Sequence, residues 1–164
     1  MGSPAVLLVG FEGAVAQAIA SRFRFSGPTL SNLALVPGRH LFVQDMPSSQ
    51  LIAQNYAGYD VTVEPVIVLY TAPGPKAIPS SSTGGRHEFL IELVIRLPKS
   101  NEDTKKLLEE LVTFIERDFS NLVAGDFQIK RAEIRSAPGP IGRLENDQVL
   151  VSSTLKFFAV PMPQ

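Results

Sequence analysis

The clearest periodicity lies in the middle of the chain. In "RHEFLIELVIRL" (Arg86 to Leu97), Phe89, Ile91, Leu93 and Ile95 alternate with Glu88, Glu92 and Arg96. That is the period of a strand with one buried and one wet face, as in an antiparallel sheet. The β-branched run "VTVEPVIVLY" (Val61 to Tyr70) predicts a partner strand, with Pro65 marking an edge position or a bulge. Between them, Thr71 to Gly85 is a Pro-, Gly- and Ser-rich loop, long for a hairpin, and loops of that length in a compact domain are usually functional or unstructured. After Ser100 the period changes to that of a helix. Leu107, Leu108, Leu111, Val112, Ile115, Phe119 and Leu122 form an apolar stripe, and Ser100 with Asp103 resembles a capping box. Acidic residues fill the first turn, where the helix dipole favours them. Lys105–Glu109 and Lys106–Glu110 are placed to pair along the outer face. A second hairpin follows, Phe127 to Ser136 with Val149 to Val160, in which Val151, Leu155 and Phe157 are expected to face the core.

The ends of these strands share a tetrapeptide. APGP occurs at Ala72–Pro75 and at Ala137–Pro140. Proline lacks the amide donor, so both copies are expected to stop a strand ladder. At the other end of the chain, Val15, Ile19 and Phe23 recur at spacing four and predict a helix over Gly10 to Phe23. Residues 26–60 are the least periodic. They accommodate a short strand at Leu41–Gln44 and a short helix at Ser48–Tyr56 capped by Ser48 or Ser49, or else an irregular arm. The arm is apolar (Leu33, Leu35, Val36, Leu41, Phe42, Val43), which suggests burial against neighbouring subunits. The order α-β-β-α-β-β predicts an α+β fold: one domain over residues 1–164, with an antiparallel four-stranded sheet of two hairpins and the helices on one face.

Composition narrows the function classes. With 164 residues, 45% of them hydrophobic, the chain has enough apolar material for a single core. The formal net charge of -1, without a long block of either sign, argues against a sequence-nonspecific nucleic-acid binder. The absence of cysteine excludes disulfides, a thiol nucleophile and Cys-ligated metal sites. No apolar run has the length of a membrane span. The N-terminus lacks a basic leading region and holds Glu12, so no signal peptide is expected and the chain is expected to remain inside a cell or a particle assembled there.

One segment imitates a nucleotide site. "VLLVGFEGAVAQAIASRF" (Val6 to Phe23) reads as strand, turn and helix, with Gly10 and Gly13 at the turn. The dinucleotide pattern needs a third glycine and an acidic residue about twenty positions on. Here no acidic residue stands between Glu12 and Asp45, and the first lysine is Lys76. Gly10 and Gly13 are therefore read as small residues where a helix begins and packs closely. His40 and His87 have no triad or metal-ligand context, and no cofactor or metal is expected. Glu102, Asp103, Glu109 and Glu110 read as solubilising charges, and Ser80 to Ser82 lack a nucleophile-elbow pattern. Lys130, Arg131, Arg135 and Arg143 cluster around the second hairpin as a solvated face, a subunit contact or, less often for such residues, a phosphate-facing patch.

With no chemistry standing out, shape and surface carry the functional reading. The segments "AVAQAIASRF", "VIVLYTAP…RHEFLIELVIRL", "TKKLLEELVTFIERDF" and "IKRAEIRSAPGPIGRLENDQVLVSSTLKFFAV" together resemble the tail-terminator and related neck proteins of tailed bacteriophages, over about residues 10–23 and 61–160. The resemblance is one of segment order and carries no catalytic motif. It implies a structural, non-enzymatic virion protein assembled in the host cytoplasm. It further implies a homohexameric ring that caps the tail tube, joins the tail to the head connector and lets DNA pass through its lumen without specific binding. Near-neutral charge suits such a lumen. Expected subunit or neck-partner contacts are Pro73, Pro75, Lys76, Ile78 and Pro79 in the hairpin loop, and Arg131, Arg135 and Arg143 on the second hairpin. Two other classes remain open: a small-ligand or nucleotide-binding enzyme using the Gly10/Gly13 turn, and a cellular oligomeric adaptor.

Overall fold

A computed structural model describes residues 10–26, 30, 32–71, 87–144 and 147–162. Among these, the elements in chain order are α1 (Gly10–Arg22), β1 (Leu41–Val43), α2 (Ser49–Asn55), β2 (Val66–Thr71), β3 (His87–Leu97), α3 (Asn101–Asp118), β4 (Val123–Ala124), β5 (Phe127–Arg143) and β6 (Val149–Pro161). The strands form one sheet in the order β1-β2-β3-β6-β5-β4. It is mixed: β1 runs parallel to β2, and every other pair is antiparallel.

This corrects the expected four-stranded antiparallel sheet in the order α-β-β-α-β-β with its helices on one face: the order is α-β-α-β-β-α-β-β-β, and α2 packs on the face opposite α1 and α3. The two hairpins, β2–β3 and β5–β6, are joined by β3 pairing with β6, but the sheet continues past both of them and curls into a half-barrel. At one edge, β1, α2 and β2 make a crossover unit. Parallel neighbours cannot be joined by a tight turn, so a helix and its connections must bridge them. At the other edge β4 adds two residues beside the start of β5. These short pieces carry too few residues to display a period.

The two faces of the sheet are covered differently. On the first face, α1 and α3 share one core with Ile67 and Leu69 of β2, Ile91, Leu93, Ile95 and Leu97 of β3, and Val151, Leu155 and Phe157 of β6. The α1 stripe of Val15, Ile19 and Phe23 is buried there, as is the α3 stripe from Leu107 to Ile115. Phe11 stacks on Phe89 with centroids 4.1 Å apart and meets Phe127 and Phe157 edge-on. Among the described residues, the second face is covered only at the β1–β2 side. There Ile52 of α2 packs on Val66 and Val68. Arg96, expected on a wet face, is buried beneath this cover. Its Nη1 donates to the Pro47 carbonyl at 2.5 Å and its Nη2 to Ser49 Oγ at 3.2 Å.

Local signals were obeyed where they were strong. Ser100 caps α3 by accepting the Asp103 N–H at 3.1 Å, and Ser48 caps α2 in the same way through Leu51. Of the apolar arm, Leu35 and Leu41 are buried in the chain's own core, Leu33 and Val43 pack against it, and Val36 is exposed; β1 and α2 occupy most of residues 41–55. Glu110 does not pair with Lys106. It accepts the Ser26 N–H at 2.7 Å and the Ser26 hydroxyl at 2.8 Å, pinning the chain after α1 to α3.

The second APGP does not stop its ladder. β5 runs through Ala137–Pro140 to Arg143 with register shifts at four places, among them Ser136/Gly139 and Pro140/Gly142. Among the described residues no strand other than β6 lies beside β5 beyond Gln128, so its prolines lie on an edge strand, where a missing donor leaves no ladder bond unmade. The first APGP lies outside the described residues.

Candidate functional site

Three features of the described residues invite a functional reading. The first joins two turns at the β1 edge. His40 lies in the turn that leads into β1, and Glu64 lies just before β2. Arg39 grips Glu64 with two bonds, Nε to Oε1 at 2.6 Å and Nη2 to Oε2 at 2.9 Å. His40 Nε2 lies 2.8 Å from Glu64 Oε1, and the Asp60 N–H donates to Glu64 Oε2 at 2.9 Å. The other ring nitrogen, Nδ1, accepts the Val36 N–H at 3.0 Å, so the ring proton belongs on Nε2. Burial pushes the Glu64 carboxyl up, but the bonds from Arg39, Asp60 and His40 outweigh it and hold the group at about 2. Burial lowers His40 below its ordinary value, against the pull of Glu64.

A histidine beside a glutamate looks like a catalytic dyad. A general base, however, needs a ring nitrogen within reach of a substrate proton. Both nitrogens of His40 are occupied, its side chain is 3% exposed, and Glu64 has donors on both oxygens. The cluster is a clasp between two turns. The sequence offered no signal for it, because the partners lie in segments without shared periodicity. Asp60 strengthens the same turn: its carboxylate accepts the Thr62 hydroxyl and N–H, which lower its pKa.

The second feature is a ladder of charges across the uncovered face. Lys156 of β6 pairs with Glu88 of β3 and stands opposite Glu133 of β5. Glu133 also meets Arg131 at 3.6 Å and Arg135 at 3.4 Å. The Arg131 guanidinium lies over the Phe158 ring, 4.3 Å from its centroid. Of the sequence-predicted contacts, Arg131 and Arg135 are thus brought together around one glutamate. Arg143 stands apart at the end of β5, 3.6 Å from Asp147. All three arginines are exposed. Pro73, Pro75, Lys76, Ile78 and Pro79 lie outside the described residues.

The third feature is an apolar groove of about 750 Å³ on the same face, beside the charges. Tyr70, Val94 and Leu150 floor it, Met46 stands on the β1 side, and Ile141 and Leu144 form the wall at the end of β5. Ile141 is 55% exposed and Leu144 42%. Burial, with Asp45 and Glu92 nearby, raises the Tyr70 phenol, so it stays protonated at neutral pH. Composition alone could not reveal this groove, since it arises where β5 extends past its expected end.

No family model matches the chain, and no curated protein matches it.

Among the described residues, no three His, Asp or Glu side chains are grouped to hold a metal ion. Gly10, with φ +75°, is the first residue of α1, and Gly13 is buried within that helix. At the first turn, Glu12 accepts a hydrogen bond from the Thr71 hydroxyl, which itself accepts from Gln44 Nε2 at 2.6 Å. The acidic side chain thus ties α1 to the end of β2. A carboxylate at that helix start disfavours a phosphate, which the helix dipole would otherwise attract.

Proposed function

We propose that the chain is a structural subunit of a tailed-phage neck, acting in a homohexameric ring that caps the tail tube and joins it to the head connector. The observation that carries this reading is the contrast between two surfaces. The polar cluster that most resembles a catalytic centre is internally saturated, whereas an apolar groove lies open beside α2 on the second face of the sheet. Exposed apolar patches of this kind mark interaction surfaces. The resemblance of the segments at about residues 10–23 and 61–160 suggests this class of assembly, with tube protein, connector and neighbouring subunits as the proposed partners. DNA in the lumen would meet paired charges, since Glu88, Glu133 and Asp147 offset the cations beside them.

The test is made on particles. Antibody labelling of purified virions is expected to mark the head–tail junction. Lysates lacking the chain are expected to contain free heads and overlong tails. Absence of the chain from particles, or normal joined tails without it, overturns the proposal.

A further inference from the structure

We infer that copies of this chain associate head to tail, the β5 edge of one seated against the α2 edge of the next. The inference rests in part on the ring reading, and it follows from how charge and apolar surface are distributed between the two edges of the sheet. The segment 36–65, which holds β1, α2 and their turns, carries Arg39 against Asp45, Asp60 and Glu64. β5 carries Lys130, Arg131, Arg135 and Arg143 against Glu133. In a chain of net charge -1, one edge is therefore acidic and the other basic.

Each edge also exposes large apolar side chains. Leu51 of α2 is 51% exposed and Val63 46%, while Ile141 and Leu144 stand out at the far end of β5. The exposed surface of α2 is otherwise uncharged: Gln50, Ala53 and Gln54 accompany Leu51. A charge-free helix with one leucine suits an apolar groove of about 750 Å³ whose outer wall is Ile141 and Leu144. Acidic residues flanking that helix would then meet the arginines of β5. The groove, bounded by Met46 on one side and by Ile141 and Leu144 on the other, differs from the exposed surface of α2, so the contact is heterologous, and heterologous contacts close into rings when the rotation per copy allows.

Two charge variants test this. In the first, R135E and R143E make the β5 edge acidic. In the second, D45R and Q54R make the α2 edge basic. All four positions are exposed, so both variants are expected to fold, with circular dichroism as the check. By sedimentation equilibrium at low salt, each variant alone is expected to associate at least tenfold more weakly than the natural chain. An equimolar mixture is expected to recover association, because each altered edge now faces an edge of opposite sign. A single-cysteine pair gives the geometry, since the chain has no cysteine of its own. L51C mixed with L144C is expected to form a disulfide-linked dimer under mild oxidation, and neither alone does so. A natural chain that stays monomeric up to millimolar concentration, a mixture no tighter than its components, or equal cross-linking of L51C with itself overturns the head-to-tail contact. Because purified protein is used, that failure is distinct from absence of the chain from virions, which would refute the neck reading.

Discussion

Replacing Glu64 by glutamine removes one charge and little volume from the clasp at the β1 edge, which makes it a direct test of what the clasp contributes. The carboxyl is held at about 2 in the fold against an ordinary value of 4.5. Each pH unit between the two values is worth ~1.4 kcal/mol, so the folded state gains about 3 kcal/mol at neutral pH. With the Glu64 side chain 11% exposed and Arg39 26% exposed, water reaches part of the pair, and about 2–3 kcal/mol is the reasonable expectation. The sign follows from linkage: a depressed carboxylate stabilises above its unfolded pKa and loses that contribution as pH falls towards the folded value. E64Q should therefore be about 2–3 kcal/mol less stable at pH 7, and the difference should shrink by more than half at pH 3. With a urea slope of ~2 kcal/mol/M, the midpoint drops by roughly 1 M at pH 7. His40 adds a separate acid sensitivity in the natural chain. Its pKa is lowered in the fold, so stability declines as pH falls below the unfolded value of 6.5, where the unfolded chain binds the proton first. Protonation would also set Nδ1–H against the Val36 N–H that it now accepts. Equal midpoints for E64Q and the natural chain at pH 7, or an undiminished gap at pH 3, would refute the clasp as a charge-dependent element.

Three further outcomes are expected. F11A opens a cavity beneath Phe89, Phe127 and Phe157, and should cost ~3–5 kcal/mol in chemical denaturation; a loss below ~1 kcal/mol would mean that the aromatic cluster collapses around the gap. S100A deletes the acceptor for the Asp103 N–H and should lower stability by ~1 kcal/mol, read as a reduced thermal midpoint with unchanged helix content. Calorimetric titration of NAD, ATP and GTP should show no saturable binding, because Glu12 stands at the start of α1 and engages Thr71; one-to-one binding at micromolar affinity would reinstate the nucleotide reading of Gly10 and Gly13.

The sequence was legible where one period ran long enough to be read. The α3 stripe, the alternation of β3 and the inward set Val151, Leu155 and Phe157 all depend on repeated local choices, and each is found as its pattern indicates. The β1–α2–β2 unit was harder because parallel pairing is decided by tertiary burial, and a strand of three residues shows no alternation. Arg96 fits its alternation and is nevertheless buried, since a pattern reports which face a side chain takes and not what later covers that face. Most of the candidate site had no local signature. His40 and Glu64 meet across two turns, and the groove exists only because β5 outruns its expected end. Arg131, Arg135 and Arg143 were visible as a cluster of charge, but their division between Glu133 and Asp147 required the register.

The bulges and prolines of β5 bear on how this protein avoids fibres. An unpaired strand edge is a template on which other chains can stack without limit. Along β5 that template is broken repeatedly: Ile129 is bonded to Asn121 and Leu122, the Ile134 N–H is taken by Glu116 Oε2 at 2.9 Å, and Pro138 and Pro140 offer no donor at all. Register shifts twist the stretches between them. Another chain therefore finds no continuous run of free donors along β5 on which to lay a strand, so this edge disfavours amyloid-like growth at high concentration.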